Sequence, residues 1–244
     1  VTEVLERIWR EKTETAGRVR GRTESVLSWA TVSGYRAGDN PARWRGNLDH
    51  VLPKPGKVRK VKHHAALEID AMPEFVADLR TRAGIAAKAL EMAILTATRS
   101  QEVRGATWRE IDLEGALWTI PGDRMKAGKE HKVPLSEPAL RLLRALPRFS
   151  GIELVFPSPT GRHLSDMTLS AVTKRMQVTA VPHGFRSTFR DWAAERTHYP
   201  REVAEMALAH TIGDKVEAAY RRGELLQKRT KMMADWARYL EMPP

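Results

Sequence analysis

Arg99 follows an apolar run and opens the charged turn Arg99-Ser100-Gln101-Glu102-Val103-Arg104. A guanidinium carried on rigid structure can grip a phosphate through two parallel hydrogen bonds. Further on, His183 and Arg186 sit three residues apart in His183-Gly184-Phe185-Arg186, a spacing that shares one helix face. A neutral histidine accepts a proton near physiological pH, and an arginine beside it holds the anion under attack. His210 closes the apolar stretch Ala207-Leu208-Ala209, and Tyr220 follows ten residues later. A tyrosine hydroxyl, with a pKa of about 10, is a poor nucleophile. It becomes a useful one when cationic groups and a base surround the phosphorus it attacks. Taken singly, each piece has a plainer reading: a surface ion pair for the arginine, a packed aromatic for the tyrosine.

The elements that would position these groups read as mostly helical. Pro73 sits at a helix-opening position ahead of Phe75, Val76 and Leu79, and Ile85 to Ala97 reads as a buried helix. Thr107 to Ile120 alternates enough for two strands joined near Glu114-Gly115, and His131 to Leu135 reads as a third. Ser136 and Ser165 are candidate helix caps. Gly184 to Leu240 is nearly all helix, broken near Pro200 and Gly213. The last of it carries Leu225, Leu226, Met232, Met233, Trp236 and Leu240, an apolar tail for which exchange with a neighbouring protomer is slightly favoured over packing on its own domain.

Upstream, residues 1–50 read as short helices, with Val19, Val26, Leu27 and Ala30 at helical spacing beside Arg18, Arg20 and Arg22, and with Gly34 as a stop. Arg43 and Arg45 flank Trp44, which serves equally well at a DNA backbone or as a core anchor. Residues 53–64 read as an extended basic linker with Lys54, Lys57, Arg59, Lys60 and Lys62 and no acid. The organisation expected is therefore a helical DNA-binding domain at 1–52, the linker, and a larger domain at 65–244. Arg18, Arg20, Arg22, Arg43, Arg45, Lys57, Arg59, Lys60 and Lys62 are the candidate DNA contacts.

Charge and composition narrow the partners. The chain carries a net +11. Residues 1–64 hold 14 Lys and Arg against 7 Asp and Glu, so +7 of that charge lies in the first quarter. Such a distribution suits a polyanion held by its phosphates, and double-stranded DNA is the expected partner. Hydrophobic residues at 42% are enough for a packed core. The absence of cysteine excludes disulfides, thiol nucleophiles and cysteine zinc sites. No apolar run approaches the ~20 residues of a membrane span, and no phosphate-binding Gly-x-x-x-x-Gly-Lys-Ser/Thr loop or His-Glu-x-x-His motif occurs. His50, His63, His64, His131, His163 and His198 lack ligand spacing, so neither a metal nor any other cofactor is expected, although His63 and His64 could meet DNA from the linker.

The ordered set is far more specific than its parts. Thr96, Arg99 and Glu102, then Lys126 ahead of His131-Lys132-Val133-Pro134-Leu135, then His183 and Arg186, then Leu208-Ala209-His210 with Lys215-Val216-Glu217 and Tyr220, together resemble the signature of the tyrosine recombinase (phage integrase) family. The likeness is strongest to integrases of prophages and genomic islands. It covers essentially the whole chain, since Asn40-Pro41-Ala42-Arg43-Trp44 is similar to that branch's core-binding domain. The resemblance implies a mainly α fold with a small antiparallel β-sheet, a core-binding domain followed by a mixed α+β catalytic domain. It also implies roles. Arg99 and Arg186 bind the non-bridging oxygens of the scissile phosphate. Tyr220 attacks the phosphorus to form a 3′-phosphotyrosyl bond. His183 takes or positions the tyrosine proton, and Lys126, the best match among Lys126, Lys129 and Lys132, protonates the departing 5′ oxygen. His210 donates to the phosphate, and Glu102 orients the scaffold. The covalent bond conserves the phosphodiester energy, so no ATP is required.

The expected setting is bacterial cytoplasm at the nucleoid, with a homotetramer on attachment-site DNA and accessory DNA-bending proteins as possible helpers. Because the chain starts at Val1, a fragment lacking a further N-terminal DNA-binding domain is expected. A type IB topoisomerase, a DNA-binding module with a decayed active site and a metal-dependent nuclease are the rival readings.

Overall fold

The computed structural model describes residues 1–58, 64–210 and 225–243. Among these the chain forms two compact units, Val1–His63 and His64–Pro244.

The first unit is built on α1 (Thr2–Trp9) and α2 (Thr13–Val32). Leu5, Trp9, Ala16, Leu48 and Leu52 form its small core. Trp44 belongs to that core: its ring stacks on Trp9 at 5.6 Å, with the Arg20 guanidinium 5.7 Å from its centroid. The expected apolar face of α2 is not buried. Val19 and Val26 are exposed, and only the start of the helix, at Thr13 and Ala16, reaches the core. A 20-residue helix outruns the few side chains that α1 and the 48–52 turn offer it. Gly34, with φ at +77°, follows the end of α2 as expected of a stop. Within the segment expected to be an extended linker, Pro55–Val58 forms a short helix, α3.

The second unit surrounds α5 (Ile85–Thr96), a helix buried at nearly every position from Ala87 onward. Around it lie α4 (Met72–Thr81), α6 (Ser100–Arg104), α7 (Glu137–Arg144), α8 (Thr168–Arg175), α9 (Gly184–Glu195), α10 (Arg201–Ala207) and α11 (Leu226–Leu240). The sheet is antiparallel, in the order β1 (Ile111–Asp112), β2 (Leu117–Ile120), β3 (His131–Pro134). Register sets Trp118 opposite Val133 and Ile120 opposite His131. The period of two then buries all four of these side chains. The β1–β2 turn falls at Glu114-Gly115 because the Asp112 carboxylate accepts both backbone N–H groups, at 3.1 and 2.8 Å.

The C-terminal helix packs on the second unit. Met232, Met233, Trp236 and Leu240 are buried. Trp236 meets Phe189 and Trp192 at 5.5 and 5.0 Å and donates its indole N–H to the Ile94 carbonyl at 2.9 Å. Glu241 then pins the helix end to Arg80 at 3.0 Å and Arg141 at 2.8 Å. The apolar stripe finds its complement in α5 and α9. No helix among the described residues is long and apolar enough to cross a membrane.

Candidate active site

Two left-handed helix ends build the site. Helix α5 stops at Ala97, where φ is +51°, and the turn is locked by buried Thr96, which donates to the Met92 carbonyl at 2.6 Å and meets the Thr98 hydroxyl at 2.7 Å. The chain therefore leaves with Arg99 in extended conformation, directly ahead of α6. Glu102, 3% exposed, accepts from the Arg99 backbone N–H at 2.7 Å and from its guanidinium at 2.8 Å, so one carboxylate caps the helix and orients the arginine.

Helix α10 ends the same way. Ala209 has φ at +48°, its N–H returns to Met206 at 3.1 Å, and the His210 N–H returns to Glu205 at 2.9 Å. This is the Schellman pattern, normally closed by glycine. It turns three successive carbonyls outward as a shared acceptor rim. The Ala207 carbonyl faces His131 on β3 and favours its protonated ring. Arg186 on α9 donates to Leu208 at 2.6 Å. Arg99 donates to Ala209 at 3.4 Å. The Arg186 guanidinium also reaches the Ala97 carbonyl at the other helix end. Backbone carbonyls at a helix C-terminus favour cations, so both arginines are fixed without a full complement of acids to neutralise them.

The result is a small cationic centre. Arg186 is 4% exposed, and its nitrogen Nη2 lies 3.2 Å from His210 Nε2. Burial, followed by the charge of Arg99, pulls its pKa down to about 10, which leaves it protonated at neutral pH. His183 sits at the N-cap of α9. Partial burial, with the positive charge of Arg186 next, lowers its pKa and favours the neutral ring that a proton acceptor requires. The imidazole of His64 lies edge-on to it at 4.6 Å.

Arg99, His183, Arg186 and His210 are thus brought together. Lys126 is exposed on the turn between β2 and β3, not on a strand, and has no hydrogen bond or ion pair among the described residues. Tyr220 lies outside the described residues, as do Arg59, Lys60, Lys62 and His63. Of the other DNA-contact candidates, Arg18, Arg22, Arg43, Arg45 and Lys57 are exposed, with Arg18 paired to Glu14 at 2.6 Å. Arg20 is spent inside its own unit, on Glu24, the Ala42 carbonyl and the Trp44 ring. No group of three or more acids and histidines suited to a metal occurs among the described residues.

A profile for the phage integrase family matches residues 65–224, two thirds of the chain, and one for the phage integrase central domain matches residues 1–47. The chain belongs to the phage integrase family. Its relatives include the prophage integrase IntA of Escherichia coli K12, 34% identical over 92% of this chain and 54% of that protein. The integrase of enterobacteria phage P4 is 31% identical over 95% of this chain and 56% of its own length. The chain therefore spans about half the length of these relatives. Lambda integrase shares the fold at a TM-score of 0.63 and 17% identity, with 86% of this chain and 77% of that one aligned, in a dimer bound to a core site. A lambda integrase tetramer bound to a Holliday junction superposes at 0.62, covering 88% of this chain and 64% of that one.

Two residues at this cationic centre escape a reading of spacing. His131 looks like one of several isolated histidines, yet its place two residues before buried Val133 puts it on the inner face of β3. Glu205 precedes His210 by five, a separation that a helix does not bring together but a Schellman turn does.

The approach of α9 to the start of its unit is close. A side-chain carbon at Gly184 would lie 1.9 Å from the Ala65 carbonyl oxygen, where the Val181 N–H docks at 3.0 Å. Thr188 secures the same segment to α9 by donating to the Leu67 carbonyl at 2.6 Å. Gly184→Ala is expected to lower stability by about 1–3 kcal/mol, since backbone must move to admit the methyl group. Urea unfolding of the two proteins checks this, and an unchanged midpoint would refute it.

Proposed function

We propose that this chain cleaves and rejoins DNA as a site-specific recombinase, with residues 1–52 as the core-binding domain, 53–64 as a basic linker and 65–244 as the catalytic part. The convergence of Arg99 and Arg186 on the α10 carbonyl rim, with His210 against Arg186 and a His183 whose pKa is lowered beside them, carries the reading. An anion the size of a phosphate supplies the negative charge this centre lacks.

In the proposed reaction Arg99 and Arg186 hold the non-bridging oxygens and stabilise the charge that builds on them. The Tyr220 oxygen attacks phosphorus, and its proton passes to His183. The bond from phosphorus to the 5′ oxygen breaks, Lys126 protonates that oxygen, and a 3′-phosphotyrosyl link remains. The lysine's exposed turn can fold toward bound DNA as a surface side chain. His210 donates to the phosphate. Attack of a 5′ hydroxyl on the phosphotyrosyl bond reverses each step and rejoins a strand.

The substrate is attachment-site duplex DNA, gripped through Arg18, Arg22, Arg43, Arg45, Lys57, Arg59, Lys60 and Lys62, and the working assembly is a homotetramer. The family assignment and the DNA-bound lambda integrase assemblies support both. Accessory DNA-bending proteins and a nucleoid location in a bacterial cytoplasm belong to the same reading. The test uses a nicked suicide DNA carrying a candidate attachment site, in excess chelator, resolved on a denaturing gel. Wild type should form a protein–DNA adduct and Tyr220→Phe none. An adduct with both proteins would overturn the role of Tyr220.

A further inference from the structure

His210 is held from both sides, by a side chain of α9 and by one of α10. Its Nε2 faces Arg186 at 3.2 Å, and its Nδ1 lies 2.6 Å from Glu205 Oε2. The other carboxylate oxygen, Oε1, receives Arg190 Nε at 2.9 Å, with Arg201 at 3.8 Å. Arg186 and Arg190 are one turn apart on α9. The Glu205 side chain is only 16% exposed, and its pKa is lowered by the bond from His210 and the charge of Arg190, against the opposing effect of burial. It is therefore an anion committed on both oxygens, and as an acceptor only it can meet Nδ1 solely when Nδ1 carries a proton.

We propose that Glu205, braced by Arg190, is a positioning residue that keeps the His210 proton on Nδ1 and aims Nε2 into the phosphate site. The inference rests on the recombinase reading for its meaning but not for its test. With Nδ1–H fixed on an anion, a proton gained by the ring goes to Nε2, and the resulting imidazolium can donate to a phosphate oxygen while Glu205 supports its charge. Among the described residues, Arg99, Arg186, Arg190, Arg201 and His183 are the other charged or titratable groups around this pair, and Glu102 is the next acid.

A glutamine at 205 has a single carbonyl oxygen. Arg190 needs that oxygen, so the amide NH2 is left facing Nδ1–H, and the ring must either move its proton to Nε2, giving up the bond from Arg186, or turn away from residue 205. Long-range nitrogen–proton NMR of histidine-labelled protein, recorded about two units above the ordinary imidazole pKa, reads this directly. His210 should carry a hydrogen-bonded Nδ1–H in wild type, and that bonded Nδ1–H should be lost in Glu205→Gln. A wild-type ring protonated at Nε2, or a hydrogen-bonded Nδ1–H unchanged in the variant, overturns the proposal without reference to any cleavage.

The suicide-DNA assay adds the functional arm. Glu205→Gln should slow single-turnover cleavage by roughly 10²-fold with DNA affinity unchanged, within the range of positioned proton donors. In a His210→Ala background the same substitution should change the rate no further, because Glu205 acts through that ring. Additive losses would mark Glu205 as merely structural and refute the role. Absence of any wild-type adduct would count against the recombinase reading alone, since the tautomers still decide what Glu205 does to His210.

Discussion

Arg186→Lys is expected to slow single-turnover DNA cleavage by about 10²- to 10³-fold, the usual effect of removing one preorganised donor from a developing oxyanion. Charge is kept in this variant, so the loss isolates geometry. The guanidinium reaches the Ala97 carbonyl, the Leu208 carbonyl and His210 Nε2 at once, and thereby ties the ends of α5 and α10 to α9. A lysine ammonium is a point donor and cannot span these three partners. A carbonyl left without a partner in the 4% exposed interior adds a folding cost of about 1–3 kcal/mol. Quenched-flow adduct formation and urea unfolding on the same preparations separate the two effects. A rate within a few-fold of wild type would mean that Arg186 is scaffold and not part of the phosphate site.

The second large effect concerns pH. His131 is 8% exposed, with its Nε2 unpartnered among the described residues. Burial lowers its pKa from 6.5 to about 4, the charges of Arg229, Arg186 and Arg99 act in the same direction, and the Ala207 carbonyl opposes them. The unfolded chain therefore binds a proton that the folded one refuses between these two values. Stability is undiminished above the unfolded value of 6.5 and falls as pH drops toward about 4. The loss from this one ring is on the order of 3 kcal/mol. His131→Asn keeps a donor for Ala207 but cannot titrate. Its stability difference from wild type, measured by urea unfolding at neutral pH and near the lower value, should shift in its favour by that amount. A constant difference across the window would show that His131 does not titrate in this way.

Much of this architecture is legible in local patterns. The buried run at 85–97, the alternation at 117–120 and 131–135, and the acid-plus-glycine turn at 112–115 each contain their own cause. The motifs that carry the family resemblance mark the two helix ends because threonines at 96 and 98 and the Leu-Ala-His sequence close those turns. What spacing misses is set by tertiary partners. The face of α2 at Val19 and Val26 has helical periodicity but nothing in its unit to cover it. The tail at 226–240 has an apolar stripe whose complement on α5 and α9 is distant in sequence. Glu205 and His131 enter the centre through a Schellman turn and a strand register, neither of which a motif records.

The central claim is that Tyr220 carries the broken strand. Trypsin cuts after Lys215 and Arg221, which places the tyrosine in the peptide Val216–Arg221. A covalent adduct formed on suicide DNA, trimmed with nuclease and digested, should yield that peptide bearing a nucleotide 3′-phosphate on its tyrosine by mass spectrometry. An unmodified Val216–Arg221 alongside a nucleotide on any other peptide would contradict the account.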